Sequence, residues 1–161
     1  METPTPAQSL SENEVLEAAA RLVGAFARTD TAEYFAAFDP LATFVFHTEP
    51  ARLESRAEYE ELWASWLAVG WSVTACESTD ARVQLCGTSA VFSHTVLTTA
   101  GTPGAEETTR ERETIVFTRS GGRILAVHEH LSAAPAPGMA AVGEAGAAAA
   151  GSADSPVVVV A

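Results

Sequence analysis

The spacing of hydrophobic residues changes from a helical period to strict alternation near residue 70. Before that point, apolar residues recur at helical spacing in three stretches, which predicts helices over residues 12–28, 31–38 and 55–68. Ser11 and Ser55 each stand three residues before a glutamate, the pattern of a capping box at a helix start. The second helix is expected to end at Asp39-Pro40, because the residue before a proline avoids the α region.

The rest of the chain reads as strands. One early strand is predicted over residues 43–47, and long strands over residues 71–76, 82–86, 90–99, 107–118 and 123–131. The first two of these long strands could be a single strand bent at residues 78–80. Helices followed by an antiparallel meander predict an α+β fold, with three N-terminal helices packed on a curved, mostly antiparallel sheet.

The two ends of the chain differ from the middle. Residues 1–10 contain two prolines and predict a flexible N-terminus, so the folded domain is expected over residues 11–135. Residues 136–161 are rich in alanine and glycine, and they lack the large side chains that offset ordering entropy. We therefore expect a disordered tail. A transient helix over residues 145–150, or strand addition by residues 157–160, is the alternative.

The charge composition excludes several functions. All 9 cationic side chains are arginines, against 21 acidic residues, and the net charge is −12. Such a chain is not expected to bind nucleic acid or an anionic membrane, and without lysine it can form no lysine Schiff base. The sequence has neither a secretory signal pattern nor an apolar run of about 18 residues, so a cytoplasmic protein is expected.

The candidate chemistry concentrates in residues 110–132, where two strand patterns flank Ser120-Gly121-Gly122. The second strand carries His128-Glu129-His130, so both histidines face one side of the sheet and Glu129 faces the other. Two registers are open. If Gly121-Gly122 form the whole loop, His128 lies opposite Ile115. If Gly122 forms a bulge, the pairing shifts by one residue, and Glu129 and Leu131 share a face with Glu113, Ile115 and Phe117.

The register decides which groups line the interior. In the shifted register Glu129 is a carboxyl in an apolar surrounding; burial raises its pKa and makes it a usable general acid or base, with Glu113 as partner. Its alternative role is structural, paired with an arginine. In the other register, His128 and His130 line the interior and can move protons. Their alternative role is hydrogen bonding at a dimer interface between sheets.

The hairpin also carries a resemblance to a known family. The pattern Glu113-Thr114-x-Val116-Phe117, Gly122-Arg123, Val127-His128-x-His130-x-Ser132-x-x-Pro135 resembles the end of nuclear transport factor two-like domains. The similarity covers residues 11–135. It is strongest to the SnoaL-like group and to the association (hub) domain of calcium/calmodulin-dependent kinases.

The resemblance implies a cone-shaped α+β barrel that encloses one pocket and forms a homodimer. Members include isomerases, dehydratases, cyclases, epoxide hydrolases and binding domains, so the fold does not settle the function. Hub domains carry pocket arginines where this chain has Leu97, Ile115 and Leu131, which argues against a hub-type pocket. Grouping these three positions on one face favours the shifted register.

Several other residues are candidates for the site. Arg112 could bind an anionic substrate group, or it could form a cross-strand ion pair. His47 ends the early strand, where the mouth of a barrel lies, and Tyr34 could donate to an oxyanion as tyrosines do in isomerases of this family. Trp63 could roof the pocket. His128 and His130 with His94 or His47 have the residue types of a metal site.

Together these patterns predict a cofactor-independent acid/base enzyme that acts on a small apolar molecule by isomerisation, dehydration or cyclisation. Its expected partners are a small-molecule ligand and a second copy of the chain, with no metal and no other cofactor. A non-catalytic binding or dimerisation module, or a metal-dependent enzyme, is the alternative. The expected catalytic residues are Glu129, His130, His128 and Arg112, and the expected substrate-binding residues are His47, Tyr34, Trp63, Phe117, Ile115 and Leu131.

Overall fold

A computed structural model describes residues 8–136 of the chain. Most of the predicted flexible N-terminus, and all of the predicted disordered tail beyond residue 136, lie outside the described residues. The predicted α+β class is confirmed. The elements are α1 (Glu12–Ala27), α2 (Thr31–Ala36), β1 (Phe38–Phe46), α3 (Arg56–Ala68), β2 (Ser72–Cys86), β3 (Ser89–Thr102), β4 (Ala105–Ser120) and β5 (Arg123–Ala133).

The predicted helix starts are present, with one difference between them. At α1 the Ser11 hydroxyl accepts from the Glu14 amide, and the Glu14 carboxylate accepts from the Ser11 amide, which completes the capping box. At α3 the Ser55 hydroxyl caps the Glu58 amide, but the Glu58 carboxylate accepts from the Glu54 amide instead. The second box is therefore only half formed.

Strand β1 begins earlier than predicted. It starts at Phe38, directly after α2, and runs through Asp39-Pro40. The Asp39 carboxylate accepts from the Leu41 amide at 2.9 Å. Pro40 is tolerated because β1 is an edge strand, and edge strands do not need every amide for pairing.

The five strands form one open sheet in the order β1-β5-β4-β3-β2. All neighbours pair antiparallel except β1 and β5, which pair parallel. Within the described residues, the sheet does not close, and β1 and β2 are its edges. Strand β2 is continuous, as one of the two readings allowed, and its pairing with β3 is irregular between Thr79 and Arg82.

The three helices cover one face of the sheet, which we call the inner face. Alternate residues of β3, β4 and β5 point to it and are buried. Tyr34 of α2 stacks on Trp63 of α3 with ring centroids 5.2 Å apart, and Tyr59 packs edge-on against Tyr34. Burying such rings contributes on the order of 2 kcal/mol each to stability. This aromatic core surrounds the polar groups described below.

Within residues 8–136, no helix combines the length and the apolar character needed to cross a bilayer.

Candidate active site

The β4–β5 hairpin places Glu129 on the inner face through a bulge whose position the sequence did not predict. Its turn is the two-residue loop Gly121-Gly122, because Ser120 pairs with Arg123 and both glycines have positive φ. The register then shifts further along, between the pairs Phe117–Ala126 and Val116–His128. Val127 is the extra residue of this bulge.

The consequence of the bulge is the shifted register. Glu129 lies opposite Ile115, and Leu131 lies opposite Glu113. The inner face is therefore the one that carries Glu129, and the bulge responsible stands at Val127 rather than at Gly122.

Three carboxyl side chains lie buried on this inner face. Glu111, Glu113 and Glu129 are each no more than 1% exposed. Glu111 and Glu113 share the face because they are two residues apart on β4. One oxygen of each carboxyl (Glu111 Oε2, Glu113 Oε1 and Glu129 Oε1) has no hydrogen-bond partner. Unpartnered buried carboxyl oxygens are rare in proteins and call for a functional or protonation-based explanation.

Glu129 is surrounded by neutral and acidic groups. Tyr34 donates its hydroxyl to Glu129 Oε2 at 3.4 Å, and the Tyr34 and Tyr59 hydroxyls are 3.3 Å apart. Burial raises the pKa of Glu129 well above its usual range, and the charge of Glu113 raises it further. Among the described residues no arginine bonds to Glu129. The alternative structural role, a carboxylate paired with an arginine, is therefore not observed. The raised pKa favours the protonated, neutral form of Glu129.

Glu113 has a histidine partner on the neighbouring strand. His94 of β3 pairs directly with Glu113, and His94 Nε2 is hydrogen-bonded to Glu113 Oε2. On its other side, His94 Nδ1 is 2.6 Å from Ser78 Oγ on β2. His94 is 4% exposed, whereas Ser78 is exposed. A chain of hydrogen bonds thus runs from the surface of β2 to the carboxyl cluster.

Glu111 connects the cluster to solvent at the other end. Its Oε1 is 2.5 Å from Nε2 of His47, which follows β1 and whose side chain is 34% exposed. Burial raises the pKa of Glu111 to about 7, and the hydrogen bond to His47 limits the rise. Glu111 therefore exists in both protonation states near neutral pH, while the raised pKa of Glu129 favours its protonated form. Two carboxyls with separated pKa values are the arrangement that supplies an acid and a base in one site.

The structure places most of the expected binding residues around this cluster. Tyr34, Trp63, Ile115, Phe117 and Leu131 are buried in the core that contains Glu129. The Trp63 indole N–H donates to the Thr31 hydroxyl at 2.8 Å. His47 lies at the rim.

Three of the four expected catalytic residues lie on the opposite face of the sheet, which we call the outer face, away from the carboxyl cluster. Arg112 alternates with Glu111 and Glu113 along β4, so its side chain points away from them and is exposed. His128 and His130 flank Glu129 and also point outward; His128 Nδ1 is 2.8 Å from the Thr43 hydroxyl. Burial lowers the pKa of His128, and the charge of His130 lowers it further.

The outer face also corrects two further expectations. Leu97 pairs with Arg110 and is 42% exposed, so it does not share a face with Ile115 and Leu131. The outward His128 and His130 cannot converge with the inward His94. Over residues 8–136 no three histidine, cysteine or acidic side chains are grouped as metal ligands.

Sequence reasoning missed several members of the cluster. The sequence patterns single out neither Glu111 nor Tyr59. They present residue 78 only as part of a possible bend and His94 only as a candidate metal ligand. The signal available for Glu111 was the Glu111-x-Glu113 spacing, which puts both carboxylates on one face of a strand. The histidine partners of the two glutamates come from other strands, and no local pattern reveals them.

The profile of the SnoaL-like domain family matches residues 15–137. The chain belongs to the SnoaL-like domain family. Solved structures agree with this fold. An NTF2-like protein of unknown function in nutrient uptake from Rhodospirillum rubrum superposes with a TM-score of 0.66 at 20% identity, over 75% of this chain and 98% of the other.

Two further structures show the same architecture. An NTF2-like protein from Streptomyces avermitilis, proposed to be a dehydratase, gives a TM-score of 0.66 at 21% identity over 77% of this chain and 96% of the other. A proposed calcium/calmodulin-dependent protein kinase II association domain from Xanthomonas campestris gives 0.63 at 20% identity over 83% and 94%. Curated protein sequences gave no significant match.

Proposed function

We propose that this SnoaL-like protein is a cofactor-independent acid/base enzyme that moves a proton on a small, largely apolar organic molecule. The observation that carries the proposal is the cluster of three buried carboxyls, Glu111, Glu113 and Glu129, each with one unpartnered oxygen. Burying acidic groups without cationic arginine partners costs stability, and such clusters of perturbed carboxyls are typical of active sites.

The two pKa shifts assign the roles. Glu129 is the acid: its raised pKa favours the protonated form, and with Tyr34 beside it, Glu129 donates a hydrogen bond to a carbonyl or hydroxyl oxygen of the substrate and stabilises negative charge there. Glu111 is the base: with a pKa of about 7, its ionised fraction takes a proton from the carbon next to the carbonyl. His47 holds Glu111 in place through Oε1, which leaves Oε2 for the substrate proton.

These roles account for isomerisation and dehydration with one site. Removal of the α-hydrogen by Glu111 gives an enol whose oxygen is bonded to Glu129. Return of the proton to a different carbon gives an isomer. Loss of a β-hydroxyl, protonated by the proton that Glu111 has removed from the α-carbon, gives an alkene and water and returns Glu111 to its ionised form. Both outcomes balance without a cofactor.

The substrate enters from the rim beside His47 in this proposal. Aromatic and aliphatic side chains, among them Tyr34, Trp63 and Phe117, fill the space in front of Glu129, which is 0% exposed. Substrate binding therefore requires that some of these side chains move. An apolar substrate suits such walls because it replaces apolar contacts with apolar contacts.

Deuterium exchange tests the proposal without knowledge of the natural substrate. The protein is incubated in D₂O with a panel of small cyclic ketones, and loss of the α-hydrogen signal is followed by proton NMR. Glu129→Gln and Glu111→Gln are each expected to slow catalysed exchange by about 100-fold or more. Glu107→Gln is the matched control, because Glu107 lies exposed on the same strand. Equal exchange by all four proteins would refute the proposal, and no exchange by the wild type on the whole panel would favour a binding or dimerisation module.

A homodimer is proposed as the functional form. Support comes from the outer face of the sheet, which carries Leu97, 42% exposed, and, further along the strands, the half-buried cross-strand pair Val91 and Val116. Light scattering after gel filtration measures the mass directly. A dimer that dissociates in Leu97→Glu but not in Leu85→Glu, a substitution at an exposed leucine outside this face, is the expected result. A monomeric wild type would contradict it.

A further inference from the structure

Ser78, His94 and Glu113 form a hydrogen-bonded series that the acid/base proposal does not use as a whole. Ser78 Oγ lies 2.6 Å from His94 Nδ1, and His94 Nε2 is bonded to Glu113 Oε2. With Glu113 Oε2 as the acceptor, His94 Nε2 is the donor, and Nδ1 of the neutral ring then accepts the hydrogen bond from the Ser78 hydroxyl. A hydroxyl, an imidazole base and an orienting carboxylate in this order are the components of a nucleophilic triad.

The backbone beside Ser78 is irregular at the point that faces the triad. Asp80 and Ala81 of β2 together lie opposite the single residue His94, which defines a bulge in the strand. Asp80 has a φ of 55°, in the left-handed region that non-glycine residues seldom adopt. Bulges and such strained residues recur at active sites, where they redirect a side chain and free backbone N–H groups from strand pairing.

An apolar groove opens at Ser78. It lies between α1 and β2, has a volume of about 400 Å³, and is lined by α1 from Leu16 to Ala27 and by Ser78, Ala81 and Phe92. We call it the α1–β2 groove. Its volume falls within the range of small-molecule sites. Ser78 is the residue that joins this groove to the buried His94.

We propose that Ser78 is a nucleophile that takes short apolar acyl groups from esters bound in the α1–β2 groove. Ser78 Oγ attacks the ester carbonyl carbon while its proton passes to His94 Nδ1. In this proposal, backbone N–H groups of the bulge at Asp80 and Ala81, where the regular pairing with β3 is interrupted, hold the developing oxyanion. The bond from carbon to the leaving oxygen then breaks, and His94 returns the proton to the departing alcohol.

Water completes the cycle. It attacks the acyl-serine carbonyl and gives its proton to His94 Nδ1, and Ser78 leaves with that proton. The sum is one ester and one water converted to one acid and one alcohol, with no further reactant. Glu113 is a positioning residue, since it touches His94 and not the ester.

Covalent labelling tests the proposal on the intact chain. The protein is treated with an alkyl fluorophosphonate, a reagent that traps activated serines, and the adduct is located by peptide mass spectrometry. One adduct per chain at Ser78 is expected, absent in Ser78→Ala and unchanged in Ser72→Ala, a serine at the start of the same strand. No adduct, or an adduct at another residue, would overturn the proposal.

Ester hydrolysis gives a second readout. With p-nitrophenyl butyrate, Ser78→Ala is expected to lose at least about 100-fold in kcat/KM, while circular dichroism confirms that this exposed substitution leaves the fold intact. Ala20→Trp, which fills the groove from α1, is expected to raise KM. Glu113→Gln is expected to lower kcat and leave KM unchanged. Hydrolysis that survives Ser78→Ala would contradict the proposal, whatever the result of the ketone exchange experiment, because that experiment depends on Glu129 and Glu111.

Discussion

Replacing Glu129 by glutamine tests whether this carboxyl is neutral in the folded protein. Burial and the neighbouring Glu113 hold its pKa well above the usual range, so we expect the folded state to keep the proton through pH 7. The unfolded chain releases it with a pKa of about 4.3. Between the unfolded pKa and the raised folded pKa of Glu129, the folded state binds more protons than the unfolded state. The free energy of unfolding therefore falls as the pH rises between those two pKa values.

The size of the effect follows from proton linkage. With a folded-state proton that is retained and an unfolded pKa of about 4.3, ionisation of the unfolded state lowers the free energy of unfolding by about 1 kcal/mol at pH 5 and by about 4 kcal/mol at pH 7. Glutamine has no such ionisation. The stability of Glu129→Gln relative to wild type should therefore increase by about 3 kcal/mol between pH 5 and pH 7.

Urea denaturation at pH 5, 6 and 7 measures how the stability difference between Glu129→Gln and wild type changes with pH. Any pH-independent effect of the amide cancels, because only the change with pH is compared. Glu12→Gln is the control, since Glu12 is exposed in the first turn of α1, and its curve should run parallel to the wild type. A constant difference between Glu129→Gln and wild type would refute the reasoning, and a difference that shrinks with pH would show that Glu129 is a stabilised carboxylate.

Further predictions concern the elements that hold the site. Gly101→Ala should destabilise the protein by about 1–3 kcal/mol, because an added Cβ would lie 2.6 Å from the Ala105 carbonyl oxygen, whereas Gly104→Ala meets no atom within 4 Å and should cost less; thermal denaturation compares the two. Arg119→Gln should raise the exchange rate of the Leu10 amide, because Arg119 holds the Gln8 carbonyl and the Glu14 carboxylate beside it. Hydrogen exchange by NMR measures this, and an unchanged Leu10 rate would show that the Gly87 carbonyl alone secures the segment.

Most of the fold could be predicted from the sequence, because most helices and strands are specified by local residue patterns. The helical stripes and the Ser11 capping box located α1 to within a residue, and the alternation of apolar residues located β3, β4 and β5. Strand β1 was misjudged at its start. Asp39-Pro40 reads as a helix terminator, and nothing local shows that the same pair continues as an edge strand.

The candidate site was harder to predict because it depends on contacts between distant residues. The sequence left two registers open and favoured the one that puts Glu129 on the inner face through a bulge at Gly122. The structure has that register, but the bulge stands at Val127, in a stretch without glycine to mark it. The partners of the glutamates lie far away: His47 is 64 residues from Glu111, and Tyr34 is 95 residues from Glu129. Arg112 was a candidate for its charge alone, and strand alternation removes it from the inner face.

Carbon-13 NMR of the glutamate carboxyls, titrated from pH 4 to pH 9, tests the acid and base roles most directly. The account predicts one carboxyl resonance that keeps the protonated chemical shift at pH 7 and disappears in Glu129→Gln. It predicts a second resonance that titrates with a midpoint of about 7 and disappears in Glu111→Gln. A spectrum in which every glutamate carboxyl is ionised by pH 6 would contradict the assignment of Glu129 as the acid and Glu111 as the base.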